Sequence, residues 1–318
     1  MAVTRVARTA TAVLRHTFVV DETPTASTTT VTVSVTDANG TVVASGDAIA
    51  EDAGTYVFTL PSQAQLQVLT VGWSATIAGA AVVETDYVEI VGGFYFTLVE
   101  GRASDSSLAD QAKYPTAALK AARLEVEIEC EQICERAFVP RYGRAVLDGT
   151  GNEQIMLPDA DVRTIRAVRV APQVGQTFVA LTALQLAALA VTADGMLERT
   201  DGVAWTEGRS NVIVEYEHGW DTPPQDLKEQ ALVRFRSLAA KHRTGIPDRA
   251  QSFTAVDGGT YRLSLPGRFA TGIPDVDAVY SRYSRGAGAA GPGSKGSPAA
   301  RTLNYDPQRG SLFHGGVR

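Results

Sequence analysis

The chain has 318 residues, 44% hydrophobic and 20% charged, which is enough apolar material for more than one core and too much for a disordered chain. Its formal net charge of −6 argues against general affinity for nucleic acid, and two cysteines are too few for a disulfide scaffold. The 29 glycines follow no Gly-X-Y period, so a collagen-like chain is excluded as well.

Residues 1–103 are rich in Thr, Val, Ala and Ser. The first clear alternation is Thr30-Val31-Thr32-Val33-Ser34-Val35-Thr36, with three valines on one face. Asp37-Ala38-Asn39-Gly40 predicts a hairpin turn, and Thr41–Ala44 resumes the strand. Further strands are expected at 54–60, 66–77, 80–90 and 94–99. Regularly spaced short strands with turn signals between them predict an immunoglobulin-like β-sandwich, though without the Cys…Trp…Cys pattern of antibody domains.

A capped short helix or turn is expected over Ser104–Asp110. A long helix then runs over about 115–138, with Pro115 in its first turn. Its apolar stripe is Leu119, Ala122, Val126, Cys130, Ile133 and Ala137. Glu125, Glu127, Glu129, Glu131 and Glu135 lie mostly off that stripe and read as a solvated face. Cys130 and Cys134, one turn apart, read as reduced, buried thiols of a cytosolically assembled protein.

A β-rich insertion is predicted over 141–222, with strands at 143–147, 152–157, 163–171, 195–199 and 211–216 and a helix-like run over 181–190. A second long helix is predicted over 225–243 and stops at Thr244-Gly245-Ile246-Pro247. Beyond it, Val256–Leu265 suggests a hairpin or arm, and Ile273–Tyr280 a short capped helix. Residues 286–318 read as a flexible basic C-terminal tail, Gly/Ala/Ser/Pro-rich up to residue 300. No stretch reaches the ~18 apolar residues of a membrane span. Arg5, Arg8 and Arg15 are followed by no apolar run, so a secretory signal is not expected.

Charge is unevenly spread. Residues 1–103 carry 4 basic and 10 acidic side chains, whereas 249–318 carry 9 basic and 4 acidic, so the tail suits an acidic partner. No catalytic constellation stands out. The four histidines, His16, His218, His242 and His314, show no ligand spacing, and no metal or cofactor is expected. Gly149–Asn152 and Asp257-Gly258-Gly259 are turns, since neither leads into Lys-Ser/Thr. Trp73, Trp205 and Trp220 default to packing roles. Arg136, Arg141 and Arg144, at the end of the long helix, suit either nucleic acid or the helix terminus and neighbouring Glu residues.

Three stretches carry a family resemblance. They are Tyr114–Leu124 continuing through Cys134–Arg141, Tyr216–Pro224 leading into Leu227–Arg243, and Pro266–Val279 with its Thr-Gly-Ile-Pro-Asp-Val-Asp-Ala-Val ending. Together they resemble the head-to-tail adaptor (connector) proteins of tailed bacteriophages, siphophage type, with Asp275 where Glu is commoner. The resemblance covers about 180 residues, and the N-terminal sandwich is an addition to it.

Joined to the sandwich read from the strand pattern, it implies an α+β multidomain chain: an all-β sandwich at 1–103, a mainly α-helical adaptor domain at 104–285 with the β insertion, and an extended tail at 286–318. It implies a non-enzymatic virion protein at the head–tail junction, assembled in the host cytoplasm. About twelve copies would form a ring through heterologous contacts, joining the portal to the tail. Genomic DNA would pass through the ring without specific binding, and no membrane is involved. The tail residues Arg301, Leu303, Tyr305, Leu312 and Phe313 become the candidates for docking the portal or an adjacent terminator or stopper protein. The alternatives are a neck or tail-completion or decoration protein, and a glycan-binding or adhesin module built on the sandwich, with Trp73 and Tyr87 as its platform.

Overall fold

A computed structural model describes residues 3–173, 175–192, 194–240, 252–254, 260–262 and 270–285. The architecture is mixed α+β, with the side chains gathered into three hydrophobic clusters.

The first ten strands are β1 (Val3–Ala7), β2 (Ala12–Thr17), β3 (Val19–Val20), β4 (Thr23–Pro24), β5 (Thr32–Thr36), β6 (Val42–Asp47), β7 (Ile49–Asp52), β8 (Thr55–Leu60), β9 (Gln67–Ile77) and β10 (Ala80–Val91). Two sheets face each other, one in the order β1-β10-β9-β5-β6 and one in the order β2-β8-β7, beside the small β3-β4 hairpin. The alternation read from sequence is the pleat itself. Val33, Val35, Leu69, Val71, Trp73, Val88 and Ile90 point inward from the large sheet and meet Leu14, Tyr56 and Leu60 of the small one. His16 ties the two sheets together. Its ring stacks on Trp73 at 5.2 Å, and its nitrogens reach Asp86 Oδ2 at 2.8 Å and Glu84 Oε2 at 3.0 Å. The Asn39-Gly40 turn forms as expected, with Gly40 at φ +80° and the Asp37 carboxylate accepting from the N–H groups of Asn39 and Thr41.

One expectation for this block fails, and one stretch had carried none. Residues 3–17 carry two strands that no turn signal announced, and β1 pairs in parallel with β10. Residues 94–99 are not a strand. Tyr95 and Phe96 enter the helical cluster, and Thr97 opens α1 (Leu98–Ala103) through a capping box with Glu100. The adjoining turn expected over Ser104–Asp110 is a 3-10 helix, Ser106–Ala109, capped by Asp105.

The long helix is α2 (Thr116–Cys134), four residues shorter at its C-terminus than predicted, with Pro115 as its N-cap. It stops because Glu135 turns left-handed, at φ +53°, and gives its N–H to Glu131 O, so the chain swings into the next strand. The insertion comprises β11 (Arg141–Gly149), β12 (Gln154–Met156), β13 (Val162–Val170), β14 (Val179–Ala180), α3 (Ala183–Ala187), β15 (Leu189–Val191), β16 (Met196–Arg199) and β17 (Gly208–His218). Its sheets run β11-β17-β13-β14 and β12-β16-β15 around Trp205, Leu197, Val168 and Tyr216. The helix expected over 181–190 is a single capped turn, because Leu189–Val191 is drawn into the ladder with β16.

α4 (Gln225–Ala240) follows, with its predicted end at 241–247 outside the described residues. Strands β18 (Ser252–Thr254) and β19 (Thr260–Arg262) pair antiparallel. α5 (Pro274–Tyr283) closes the fold. Leu119, Val126 and Cys130 of α2, Leu227 and Phe235 of α4, and Val276 and Tyr280 of α5 share one cluster. No helix among the described residues is long and apolar enough to cross a membrane.

Candidate functional site

Two of the stretches that carry the resemblance have their spelling explained by close contacts. After β17 the chain turns at Gly219, which sits at φ +95°, where an added Cβ would collide with the Val139 carbonyl. Gly219 N–H donates to Asp161 O at 3.0 Å and Trp220 N–H to Ala137 O at 3.2 Å, so the start of α4 is clipped to the end of α2. Trp220 then meets Phe138 edge-on, with ring centroids 5.5 Å apart.

In Thr271-Gly272-Ile273-Pro274-Asp275-Val276-Asp277, Gly272 supplies a left-handed turn at φ +82° and Pro274 starts α5. Ile273 cannot cap with its side chain. Asp277 reaches back instead, accepting from Thr271 N–H at 2.6 Å and Thr271 Oγ1 at 2.8 Å. Val276, Val279 and Tyr280 then fall on the face buried against α2 and α4.

The other flank of α2 carries the site that sequence reading missed. Glu127 and Glu131 are one turn apart and project together toward strands from both β regions. Arg5, on β1, donates to Glu89 of β10 at 2.8 Å, to Glu127 at 3.0 Å and to Glu131 at 2.6 Å. Arg141, on β11, donates to Glu131 at 2.7 and 3.0 Å and to Glu127 at 3.2 Å. Tyr95 N–H gives a further bond to Glu127 at 3.0 Å. The expectation of a solvated acidic face is therefore wrong here, since the Glu127 side chain is 0% exposed and Arg141 only 3%. Glu125 is exposed, and Glu129 pairs with Arg234 of α4 at 2.7 and 2.8 Å.

Two guanidinium groups face three carboxylates in this joint, and each group perturbs its neighbours. Burial alone would raise the Glu131 carboxyl, but the charges of Arg141 and Arg5 outweigh it and hold Glu131 below its usual range. Burial by itself would lower both arginines, and the carboxylates, Glu131 first, push both above their ordinary values. Burial and the Glu131 charge drive the Tyr95 hydroxyl well upward. His218, at the end of β17, is lowered by burial, which the Asp159 charge only partly offsets. An array so enclosed and so mutually compensated holds charge in place. It presents no free base or nucleophile.

Backbone contacts complete the joint. Gly92 N–H donates to Pro140 O at 2.9 Å, and an added Cβ on Gly92 would meet the Pro140 ring at 2.6 Å. Arg166 of β13 donates to Leu66 O and to Gln65 in the sandwich.

The remaining candidates separate cleanly. Arg136 Nε lies 3.0 Å from Asp161 Oδ2, with its guanidinium over the Trp220 ring, while Arg144 is exposed. Arg141 is buried and Arg136 half-buried, so Arg144 is the most open to solvent of that trio. Cys130 and Cys134 are free, buried thiols with sulfurs 3.9 Å apart. Trp73 and Trp205 are fully buried, so Trp73 cannot be a glycan platform, and Tyr87 is half-buried. Among the described residues no three His, Cys, Asp or Glu side chains are grouped to hold a metal ion. Asp257-Gly258-Gly259, His242 and His314 lie outside the described residues, as do Arg301, Leu303, Tyr305, Leu312 and Phe313.

No family model matches the chain, and no curated protein does. Among solved structures, the neck of an empty GTA particle computed with C6 symmetry is similar at 16% identity and TM-score 0.39, covering 60% of this chain and 89% of that one. The neck of a native GTA particle with C12 symmetry gives 18% identity and TM-score 0.38, covering 60% and 93%. The virion of a native gene transfer agent particle gives 17% and 0.42, covering 60% and 89%. TM-scores of this size are too low to establish a shared fold.

Proposed function

We propose that this chain is a non-enzymatic structural subunit of a phage-like particle: a head-to-tail adaptor that forms a ring in the neck between portal and tail. One observation carries the reading. The three separate stretches that resemble the adaptor family supply α2, α4 and α5, and these helices close on a single core. The spelling of the last stretch is accounted for by the Thr271–Asp277 contact that starts α5.

In this reading the N-terminal sandwich is an immunoglobulin-like addition on the outside of the ring, held by the Arg5 and Arg141 joint. About twelve copies would meet through heterologous contacts, one face of each against a different face of the next. The acidic body suits a passage along which DNA slides, because phosphate affinity grows with Lys and Arg contacts. The basic segment bearing Arg301, Leu303, Tyr305, Leu312 and Phe313 is the docking arm.

The test is immunogold electron microscopy of purified particles with antibody against residues 1–103. Label confined to the head–tail junction is expected. Label over the capsid or at the tail tip would remove the adaptor role, and label on a cell surface with none on particles would favour an adhesin.

A further inference from the structure

Apart from the two-stranded hairpins, seven edge strands of the described sheets are protected in one of the ways proteins use to prevent stray pairing. β7 is four residues long and carries Glu51 and Asp52, β14 has two residues, and β12 and β15 have three each. β2 carries Arg15, and β11 carries Arg144 and Asp148. β1, also an edge, is packed into the joint through Arg5.

β6 is different. It is six residues long, Val42-Val43-Ala44-Ser45-Gly46-Asp47, with no Lys, Arg or Pro and its one charge at the last position. Its only guards are Asp47 at its end and one irregularity in the pairing with β5, opposite Val35 and Thr36. Among the described residues its backbone makes no hydrogen bond beyond that ladder. Val42 is 56% exposed, and beyond the strand Ile49 is 71% exposed.

We infer that β6 is a docking edge, and that its occupant is the C-terminal segment of a second copy of this chain, adding as one more strand. Three observations select that occupant. First, charge: the sandwich block has 4 basic against 10 acidic residues, whereas 286–318 has Lys295, Arg301, Arg309 and Arg318 against Asp306 alone. Second, pattern: Arg301-Thr302-Leu303-Asn304-Tyr305 alternates long side chains with short polar ones and lies between Pro298 and Pro307, a run suited to one strand. Third, reach: Arg285 is pinned to Cys134 O, Pro158 O and Asp194 O, and 33 residues follow it. Extended, they span on the order of 100 Å, several times the radius of one domain. Main-chain bonds to β6 would supply affinity, and side-chain alternation would fix the register. The inference rests on the proposed ring, which sets copies side by side, and it gives Arg301–Tyr305 a second copy to grip in place of the portal, leaving Leu312 and Phe313 for the portal or a neighbouring neck protein.

The experiment uses two full-length variants, Ser45→Cys and Leu303→Cys, mixed under mild oxidation. Native Cys130 and Cys134 are buried and stay out of the reaction. A mixed disulfide dimer of twice the chain mass is expected, with its yield reduced at least ~10-fold when Val42→Lys is added to the Ser45→Cys chain, since a lysine guards the edge and repels Arg301. Hydrogen exchange on the unmodified chain should show the outward amides of residues 42–47 slowed at least ~10-fold relative to a Leu303→Asp/Tyr305→Asp variant.

A Ser45→Cys homodimer alone would mean β6 pairs with its own counterpart. An internal disulfide in a dilute double variant, with none in the mixture, would give the edge to the chain's own tail. Equal exchange with no cross-link would leave β6 without this occupant. Each of these overturns the inference while the junction label stands. A cross-link in a protein absent from the particle neck would overturn the ring instead.

Discussion

Helix α2 is gripped in two chemically different ways. Its apolar stripe takes α4 and α5 through Leu227, Phe235, Val276 and Tyr280, contacts that are non-directional and graded in strength. Its acidic flank takes β1 and β11 through five charged groups that depend on one another, with Arg141 Nη1 left buried without a hydrogen-bond partner. The apolar grip can lose a methyl group and relax, whereas the ionic grip cannot lose a member without stranding a buried charge. The difference teaches which junction fixes geometry. The helices adhere chiefly by area, with the Glu129–Arg234 pair as the one ionic tie between α2 and α4 among the described residues, and the sandwich is held at one angle by hydrogen-bond direction.

The sharpest way to break that contrast is Glu127→Ala. It should lower stability by about 3–5 kcal/mol and split urea unfolding into two transitions as the sandwich uncouples from the helices. Leu227→Ala, on the apolar side, should cost about 3 kcal/mol with a single transition retained. Gly219→Ala forces a side chain into the left-handed turn against Val139 O and should cost about 2 kcal/mol, read as a lower urea midpoint. Asp277→Ala, which removes the bracket around Thr271, should cost about 1 kcal/mol and fray α5 first in hydrogen exchange.

Acid should distinguish the two grips as well. His218 is lowered in the fold, so its contribution is intact above its ordinary value near ~6.5 and declines as pH falls below that. Glu131 is also lowered, so its stabilisation is present above the ordinary value near ~4.3 and is lost as pH drops through its folded value. Thermal melts from pH 7 to pH 3 should therefore show a shallow loss and then a steeper one, with the steeper one missing in Glu131→Gln. Equal acid sensitivity in that variant would move the effect away from the joint.

What the sequence makes legible follows from the range of the forces involved. The pleat of β5, the Asn39-Gly40 turn and the α2 stripe are local patterns, and each forms as read. The acidic flank of α2 was illegible because its arginine partner on β1 is 122 residues from Glu127 and 126 from Glu131. Two glutamates one turn apart look the same whether water or Arg5 faces them. A faint signal existed, in that neither Glu127 nor Glu131 has a Lys or Arg four residues on in the helix, and the only basic side chain one turn away is Arg123, before Glu127. Leu181–Ala190 misled for the converse reason. A leucine-rich run favours a helix, but pairing with β16 claims its last two residues and stops the helix at Ala187.

The placement of β1 has a temporal consequence. Its partner strand ends at Val91, 84 residues separate Arg5 from Glu89, and Glu131 lies further on still. A ribosome delivers these residues in order, so the first strand of the chain waits unpaired while the remainder of its sheet is made. The sandwich can close only after residue 91 emerges, and the ionic joint only after Arg141. The amino terminus thus acts as a completion check, since a chain truncated before α2 would leave Arg5 with Glu89 alone.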